Sequence, residues 1–346
     1  MNRVARLAAG LTEPLLVTYG VNVRYLTGFD SSNCAVLVEP GDEATLFTDF
    51  RYAEAARAVV GVTFVETRRD VIGALAERLA GQRIAFEASR VSYAQWQTLR
   101  EGGVDLTPTQ GMVERLRAVK DADELAALRR ASAISDRVYE ALAAERFTGG
   151  TERELAWSIE QAFHEQGADA LSFASIVASG LNGAKPHHRA GGDVIRAGTL
   201  VTVDAGCVVG GYCSDCTRTF ATGQISEELT NVYRLVSRAQ LDGLAAVRAG
   251  AVARDVDAAS RVEVEAAGLG HAYGHGLGHG VGLEVHEAPT LRAESDDTLA
   301  AGNVVTVEPG LYLSGVGGCR IEDLVVVTDD GCEILTRFTK EIVTVG

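Results

Sequence analysis

Apolar positions in the first hundred residues fall into short runs separated by polar, glycine-bearing stretches. Residues 15–18, 35–38, 44–47 and 83–86 read as strands, while 52–60 and 71–80 follow a helical period. This alternation describes a small α/β domain. The breaker-rich stretch 108–111 and the segment 112–119 lead out of it, which sets a boundary near residue 115, with an N-terminal domain over 1–115 and a second over 116–346.

Past the boundary the apolar period lengthens. Asp121 with Glu124 reads as a capping box ahead of a stripe formed by Leu125, Leu128, Ile134, Val138 and Leu142. Thr151 with Glu154 repeats the device before Leu155, Ile159 and Phe163, and Gly167 supplies the stop. Ser226 opens a third helix through Leu229, Val232, Tyr233 and Val236, and a fourth covers 252–267 before Gly268. Strand pairs intervene, 200–206 with 212–221 and then 304–309 with 319–328. Two helix pairs and two hairpins make the second domain α+β and hint at a duplicated architecture, although no clear sequence repeat accompanies it.

Strand alternation puts Thr202 and Asp204 on one face of the first hairpin, and Asp215, Thr217 and Thr219 on one face of its returning strand. Pairing around 208–211 brings the two aspartates together. In the second hairpin Thr306 shares a face with Glu308 and Arg320 with Glu322, with 311–318 as the turn. A single acid in a strand is most often a solvated surface residue. Here Leu-Val-Thr-Val precedes Asp204 and Val-Val-Thr-Val precedes Glu308, so both acids end strands of buried pattern, where an unpaired charge is expensive.

Four converging carboxylates raise one another's pKa, and two divalent cations neutralise them. One further negative charge is then accommodated as a bridging hydroxide, the nucleophile of a two-metal hydrolase. The segment 274–287, GHGLGHGVGLEVHE, offers an imidazole from His275, His279 or His286 among five glycines. That glycine density excludes a helical zinc motif, since each glycine costs about 1 kcal/mol inside a helix. Oxygen ligands with one imidazole suit manganese, cobalt, iron or zinc.

Composition narrows the class further. With 47% hydrophobic and 23% charged residues the chain of 346 residues is globular. Its net charge of -15 disfavours nonspecific attraction to nucleic acid or anionic lipid. The first twenty residues hold no signal core and no window approaches about 20 apolar residues, so a cytoplasmic protein without a membrane or nucleic-acid partner is expected. Six cysteines are too sparse for a disulfide scaffold, and the C-x-x-C of Cys213 and Cys216 lacks a second pair and reads as strand.

Taken together, these residues resemble the prolidase and aminopeptidase P group of metallopeptidases, whose fold is called pita-bread. The likeness runs through VDAG at Asp204, GYCSDCTRTF at Asp215, GHGLGHGVGLEVHEAP at His279, VTVEPGLY at Glu308 and RIEDLVVVT at Glu322, in order over residues 120–346. NVRYLTGF (22–29) and LFTDFRYAEAA (46–56) are similar to the small creatinase-like α/β domain that precedes it. The resemblance implies a pita-bread catalytic domain, a pseudo-twofold antiparallel sheet with two helix pairs. It implies that Asp204, Asp215 and Glu322 bind one or both of two divalent ions, that His279 binds one, and that Glu308 binds metal and acts as general base. Manganese is the leading expectation for the metal, with zinc or cobalt as alternatives.

The resemblance also assigns substrate contacts. His187, in Asn182-Gly-Ala-Lys-Pro-His-His, would steady the scissile carbonyl or tetrahedral intermediate, with His188 the lesser candidate. His286 would bond the substrate near its proline side, His275 would line the pocket, and Arg320 would orient the carboxylates that hold metal. The family's preferred bond precedes proline, a tertiary amide without a donor hydrogen. Some prolidases place an arginine a few residues beyond the position of His286 to hold a dipeptide's carboxylate; here Thr290 and Leu291 intervene and Arg292 is the substitute. The expected activity is hydrolysis of Xaa-Pro dipeptides. Aminopeptidase P action on longer peptides is the alternative, and a noncatalytic binding protein is disfavoured because all five ligand positions are retained. A homodimer is implied as well, the first domain of one subunit covering the other's site through a lid at Gly28 to Asn33.

Overall fold

The computed structural model describes residues 2–346, which divide into two compact units, the first ending at Arg117 and the second spanning Ala118–Gly346. The first is a six-stranded mixed sheet in the order Thr63–Thr67, Ala44–Asp49, Cys34–Val38, Leu15–Val17, Arg83–Glu87, Asp105–Thr109. Leu16, Leu37, Phe47, Leu75, Ile84 and Leu99 form a core between this sheet and its helices. The strand Asp105–Thr109 was hidden in sequence by Pro108, read as part of a breaker. It is tolerated because the strand lies at the sheet edge, where a missing N–H costs nothing in the ladder. The helix Gly20–Thr27 was likewise not anticipated; it carries most of the NVRYLTGF motif and stops at Gly28, whose φ is 72°. The stretch from Gly28 to Asn33 is a loop.

In the second unit all four anticipated helices form: Ala122–Leu142, Glu152–Glu165, Glu227–Ala246 and Ala253–Ala266. The first two begin with capping boxes at Asp121/Glu124 and Thr151/Glu154, which satisfy amides that a helix start leaves without partners. Leu200–Asp204 pairs antiparallel with Thr217–Thr222, Asp204 opposite Thr217 and Thr202 opposite Thr219. Val304–Val307 pairs with Asp323–Val327. The two pairs belong to separate sheets of four and five strands. Val201, Val203 and Phe220 pack with Val138, Leu155 and Phe163 of the first helix pair. Val305, Val307 and Val325 pack with Leu244 and Val256 of the second. Burial of one strand face by each helix pair leaves Thr202 and Asp204, and Thr306 and Glu308, on the opposite faces. This is the expected α+β pita-bread arrangement.

Two sequence readings need correction. Asp215 does not lie on the returning strand but just before it, because the chain is already diverted at Gly206, where any Cβ would collide with the Ser214 carbonyl. The stretch 311–318, read as a turn, belongs largely to a two-stranded ribbon of Gly310–Leu313 and Gly317–Arg320. Glycines at 315, 317 and 318 masked its alternation, and Gly317 adopts φ 138°. The histidine segment does form a strand, Gly278–Gly280, rather than a helix. A Cβ at Gly278 would strike the Thr306 carbonyl, so only glycine lets this strand lie so close. Gly278→Ala is therefore expected to destabilise the fold by about 2–3 kcal/mol, the cost of overpacking a tight core, as measured by urea denaturation.

Candidate metal centre

The two strand pairs and the histidine strand meet at a cavity of about 450 Å³ lined by Asp204, Asp215, His279, Glu308 and Glu322. Each acid arrives for a local reason: Asp204 ends the Leu200–Asp204 strand, Asp215 sits in the diverted segment, Glu308 follows Val304–Val307, and Glu322 precedes Asp323–Val327. Ligand atoms of Asp215, His279 and Glu322 all lie within 4.8 Å of one another. His279 Nε2 is 3.7 Å from Asp215 Oδ2 and 3.1 Å from Glu308 Oε1, which joins Glu308 to the trio. Asp204 faces the same cavity but directs Oδ2 to Arg320 Nη2 at 2.6 Å. Its Oδ1 is buried with no hydrogen-bond partner.

Supporting groups fix these carboxylates. Thr217 Oγ1 donates to Glu322 Oε2 at 2.8 Å, and Arg320 Nε donates to Thr217 Oγ1 at 3.1 Å. Thr306 Oγ1 donates to Glu308 Oε1 at 3.1 Å and accepts from the His279 amide at 3.0 Å. Arg320 Nη1 donates to the Tyr312 hydroxyl at 2.9 Å, and that hydroxyl lies 2.9 Å from His275 Nε2. Sequence reasoning missed Tyr312, although it lies within the VTVEPGLY motif. Its signal in the sequence is a tyrosine followed closely by Gly315, Gly317 and Gly318, and the structure pairs it opposite Gly318.

The histidines divide into three kinds. His187 and His286 are exposed and line the cavity, with the His286 ring centroid 4.2 Å from that of His279. His275 is tied into the Tyr312–Arg320 chain. His188 lines the cavity too, but its Nε2 is 2.7 Å from Glu152 Oε2, a carboxylate that also accepts from Ser179 and Asn182, so its ring is committed to the fold. Arg292 is exposed at the cavity wall. Phe173, Ile176 and Val285 supply an apolar side.

Four carboxylates thus face one guanidinium and one imidazole in a buried setting. Burial raises the pKa of Asp215 and Glu322 well above the ordinary range, and the neighbouring acids push them further. Burial also raises Asp204 against the opposing pull of Arg320. Burial works the same way on Glu308, but its bond to His279 outweighs it and holds Glu308 down at about 2. His279 is raised, Glu308 overcoming the desolvation of its ring. The orphaned Asp204 oxygen, the converging trio and the uncompensated negative charge fit a bound divalent cation.

Cys213 and Cys216 do not form an alternative site. Both are buried free thiols, and desolvation pushes Cys213 to about 11 and Cys216 well above its usual value, so neither is poised as a thiolate. Among the described residues no helix is long and apolar enough to cross a membrane.

Residues 126–329 match metallopeptidase family M24, and residues 5–119 match the creatinase/prolidase N-terminal domain. The chain is 31% identical over 324 residues to an Xaa-Pro dipeptidase of Pyrococcus furiosus, covering 93% of this chain and 92% of that one. Among solved structures, an Xaa-Pro dipeptidase from Bacillus anthracis superposes with a TM-score of 0.95 at 38% identity, covering 99% of both chains. An X-Pro aminopeptidase from Thermotoga maritima superposes with a TM-score of 0.90 at 32% identity, covering 99% of this chain and 100% of that one.

The shifted acids make the metal-free protein sensitive to pH in a definite direction. Asp215 and Glu322 keep protons in the folded state that the unfolded chain releases in the ordinary carboxylate range, so stability falls as pH rises above it. His279 acts in the same sense, its contribution being lost as pH rises through its raised pKa, whereas that of Glu308 is already complete above the ordinary glutamate value. Chelator-treated protein should lose about 3–8 °C in melting temperature between pH 5 and pH 8, and divalent metal should abolish most of that loss, as read by calorimetry.

Proposed function

Because the chain belongs to metallopeptidase family M24, we propose that it hydrolyses the peptide bond preceding proline in Xaa-Pro dipeptides, using two divalent ions held by Asp204, Asp215, His279, Glu308 and Glu322. The observation that carries this reading is the convergence of Asp215, His279 and Glu322 in one cavity with Glu308 and the half-paired Asp204. Bound there, the ions supply Lewis-acid polarisation of the scissile carbonyl and lower the pKa of the attacking water. Manganese leads as the physiological metal, with zinc or cobalt as alternatives.

The remaining chemistry belongs to the chain. In the metal-free site His279 holds the pKa of Glu308 low, so the carboxylate is ionised, the state that both a metal ligand and a general base require. His187 and His286 present imidazoles on the cavity wall, where they donate to the carbonyl oxygen and to the proline side of the substrate. Partial desolvation at the cavity wall lowers the pKa of His286, and the nearby His279 lowers it further. Arg320 and Tyr312 keep Asp204 and His275 in place. Phe173, Ile176 and Val285 offer apolar surface to the pyrrolidine ring, and a tertiary amide leaves no N–H stranded there. Arg292 meets the free carboxylate of a dipeptide. A cytoplasmic homodimer completes the proposal; sedimentation at twice the chain mass of 36.5 kDa supports it and sedimentation at 36.5 kDa refutes it.

Chelator-stripped protein should cleave Ala-Pro when manganese is added, and leave Ala-Ala intact. Cleavage confined to Ala-Pro-Ala would move the assignment to an aminopeptidase P, the reading favoured by the similarity to the Thermotoga maritima structure. No cleavage of any of the three with manganese, zinc or cobalt would refute a proline-specific peptidase. Arg292→Ala should raise KM for Ala-Pro about tenfold, the loss of one charged contact worth about 1.4 kcal/mol, while leaving KM for Ala-Pro-amide unchanged. Equal KM changes for both substrates would remove Arg292 from carboxylate recognition.

A further inference from the structure

The ligands come from two hairpins that belong to different sheets, Asp204 and Asp215 on the first, Glu308 and Glu322 on the second. Something must fix the distance between the hairpins to the accuracy that a metal pair demands. Thr217 and Thr219 face the cavity, with Thr217 bonded to Glu322 Oε2 and Thr219 to the Arg320 carbonyl. Arg218, between them, points the other way and is almost fully buried.

Its guanidinium is fully engaged behind the site. Nη1 donates to the main-chain carbonyl of Glu322 and to that of Thr217. Nη2 pairs with Asp323 Oδ1 at 2.9 Å and donates to the Phe338 carbonyl at 2.7 Å, and Nε reaches the carbonyls of Phe338 and Thr339. Asp323 is in turn held by Lys340 Nζ at 2.6 Å, Gln240 Nε2 at 2.9 Å and Thr336 Oγ1 at 3.1 Å. One side chain of the first hairpin thereby grips the backbone of Glu322, the carboxylate next to it, and the C-terminal segment that crosses behind both.

We propose that Arg218 is a positioning residue of the metal centre, clamping Glu322 of the second hairpin at a fixed distance from Asp215 of the first. The inference rests on the reading of these acids as metal ligands. A planar guanidinium is needed because its donors reach three directions at once; a lysine ammonium satisfies Asp323 but cannot also span the carbonyls of Glu322, Phe338 and Thr339. Arg218 touches neither the cavity nor any group placed against substrate.

The test is Arg218→Lys, which keeps the buried charge and loses the fork. Manganese titration of chelator-stripped protein by calorimetry should show at least one site weakened tenfold or more, the range expected when a support of a metal ligand is lost. KM for Ala-Pro should stay within threefold of wild type, and kcat at limiting manganese should fall and be recovered by excess metal. Wild-type affinities at both sites in a folded Arg218→Lys protein would overturn the inference while leaving the peptidase reading intact. Absence of metal binding by the wild-type protein would instead overturn that reading, and this inference with it. Should Arg218→Lys fail to fold, Lys340→Met decides: its side chain is 24% exposed and its loss loosens the grip on Asp323. It should weaken the same site threefold or more, and unchanged manganese affinity would refute the clamp.

Discussion

Mutual repulsion among Asp204, Asp215, Glu308 and Glu322 is the constraint on which the rest of the second unit turns. Each is desolvated, and their unpaired charges oppose the packing of the segments that carry them. The protein answers with few positive charges: Arg320 takes Asp204, His279 takes Glu308, Asp215 has the same His279 only at 3.7 Å, and Glu322 has a threonine hydroxyl. The surplus is what a divalent cation neutralises. The apolar strands and paired helices serve to hold that surplus in place, since the burial of Val201, Val203, Val305 and Val307 on the reverse faces opposes any drift apart.

Much of this frame was legible because it follows from local rules. Capping boxes at Asp121 and Thr151, glycine stops at Gly167 and Gly268, and strict alternation before Asp204 and Glu308 each leave a signature within a few residues. The family and the pita-bread class followed from motifs built on that frame. What escaped detection depends on nonlocal partners. The edge strand containing Pro108 looks like a breaker until its place at the sheet margin is known, and the ribbon at 310–320 looks like a turn because its glycines carry no side-chain period. The resemblance assigned Arg320 to orienting the carboxylates, but nothing in the sequence told that it holds Asp204 by one oxygen while the other lies unpaired. Tyr312 reaches His275 across 37 residues of chain and Arg218 reaches Asp323 across 105, distances at which pattern reading has no purchase.

Two buried arginines, Arg320 and Arg218, divide the work of support in opposite ways. Arg320 lies on the cavity side, where it neutralises an acid and binds Tyr312, so its charge enters the electrostatics of the site. Arg218 lies behind, already matched by Asp323, with its remaining donors spent on carbonyls. The first tunes the carboxylates and the second sets where the backbone carries them. Separating charge from geometry in this way leaves the cluster negative enough to hold cations although basic side chains pack on both sides of it.

That division also governs the proton balance of metal loading. A metal ligand must be deprotonated, so each group whose folded pKa is raised gives up a proton when a cation arrives. Asp215, Glu322 and His279 are raised, and Glu308 is held low by the same histidine that must release its proton. A cation held by the trio would therefore compete with protons, which makes metal affinity in this cluster rise with pH. The pairing of His279 with Glu308, 3.1 Å apart, meanwhile keeps the candidate base ionised in the metal-free site.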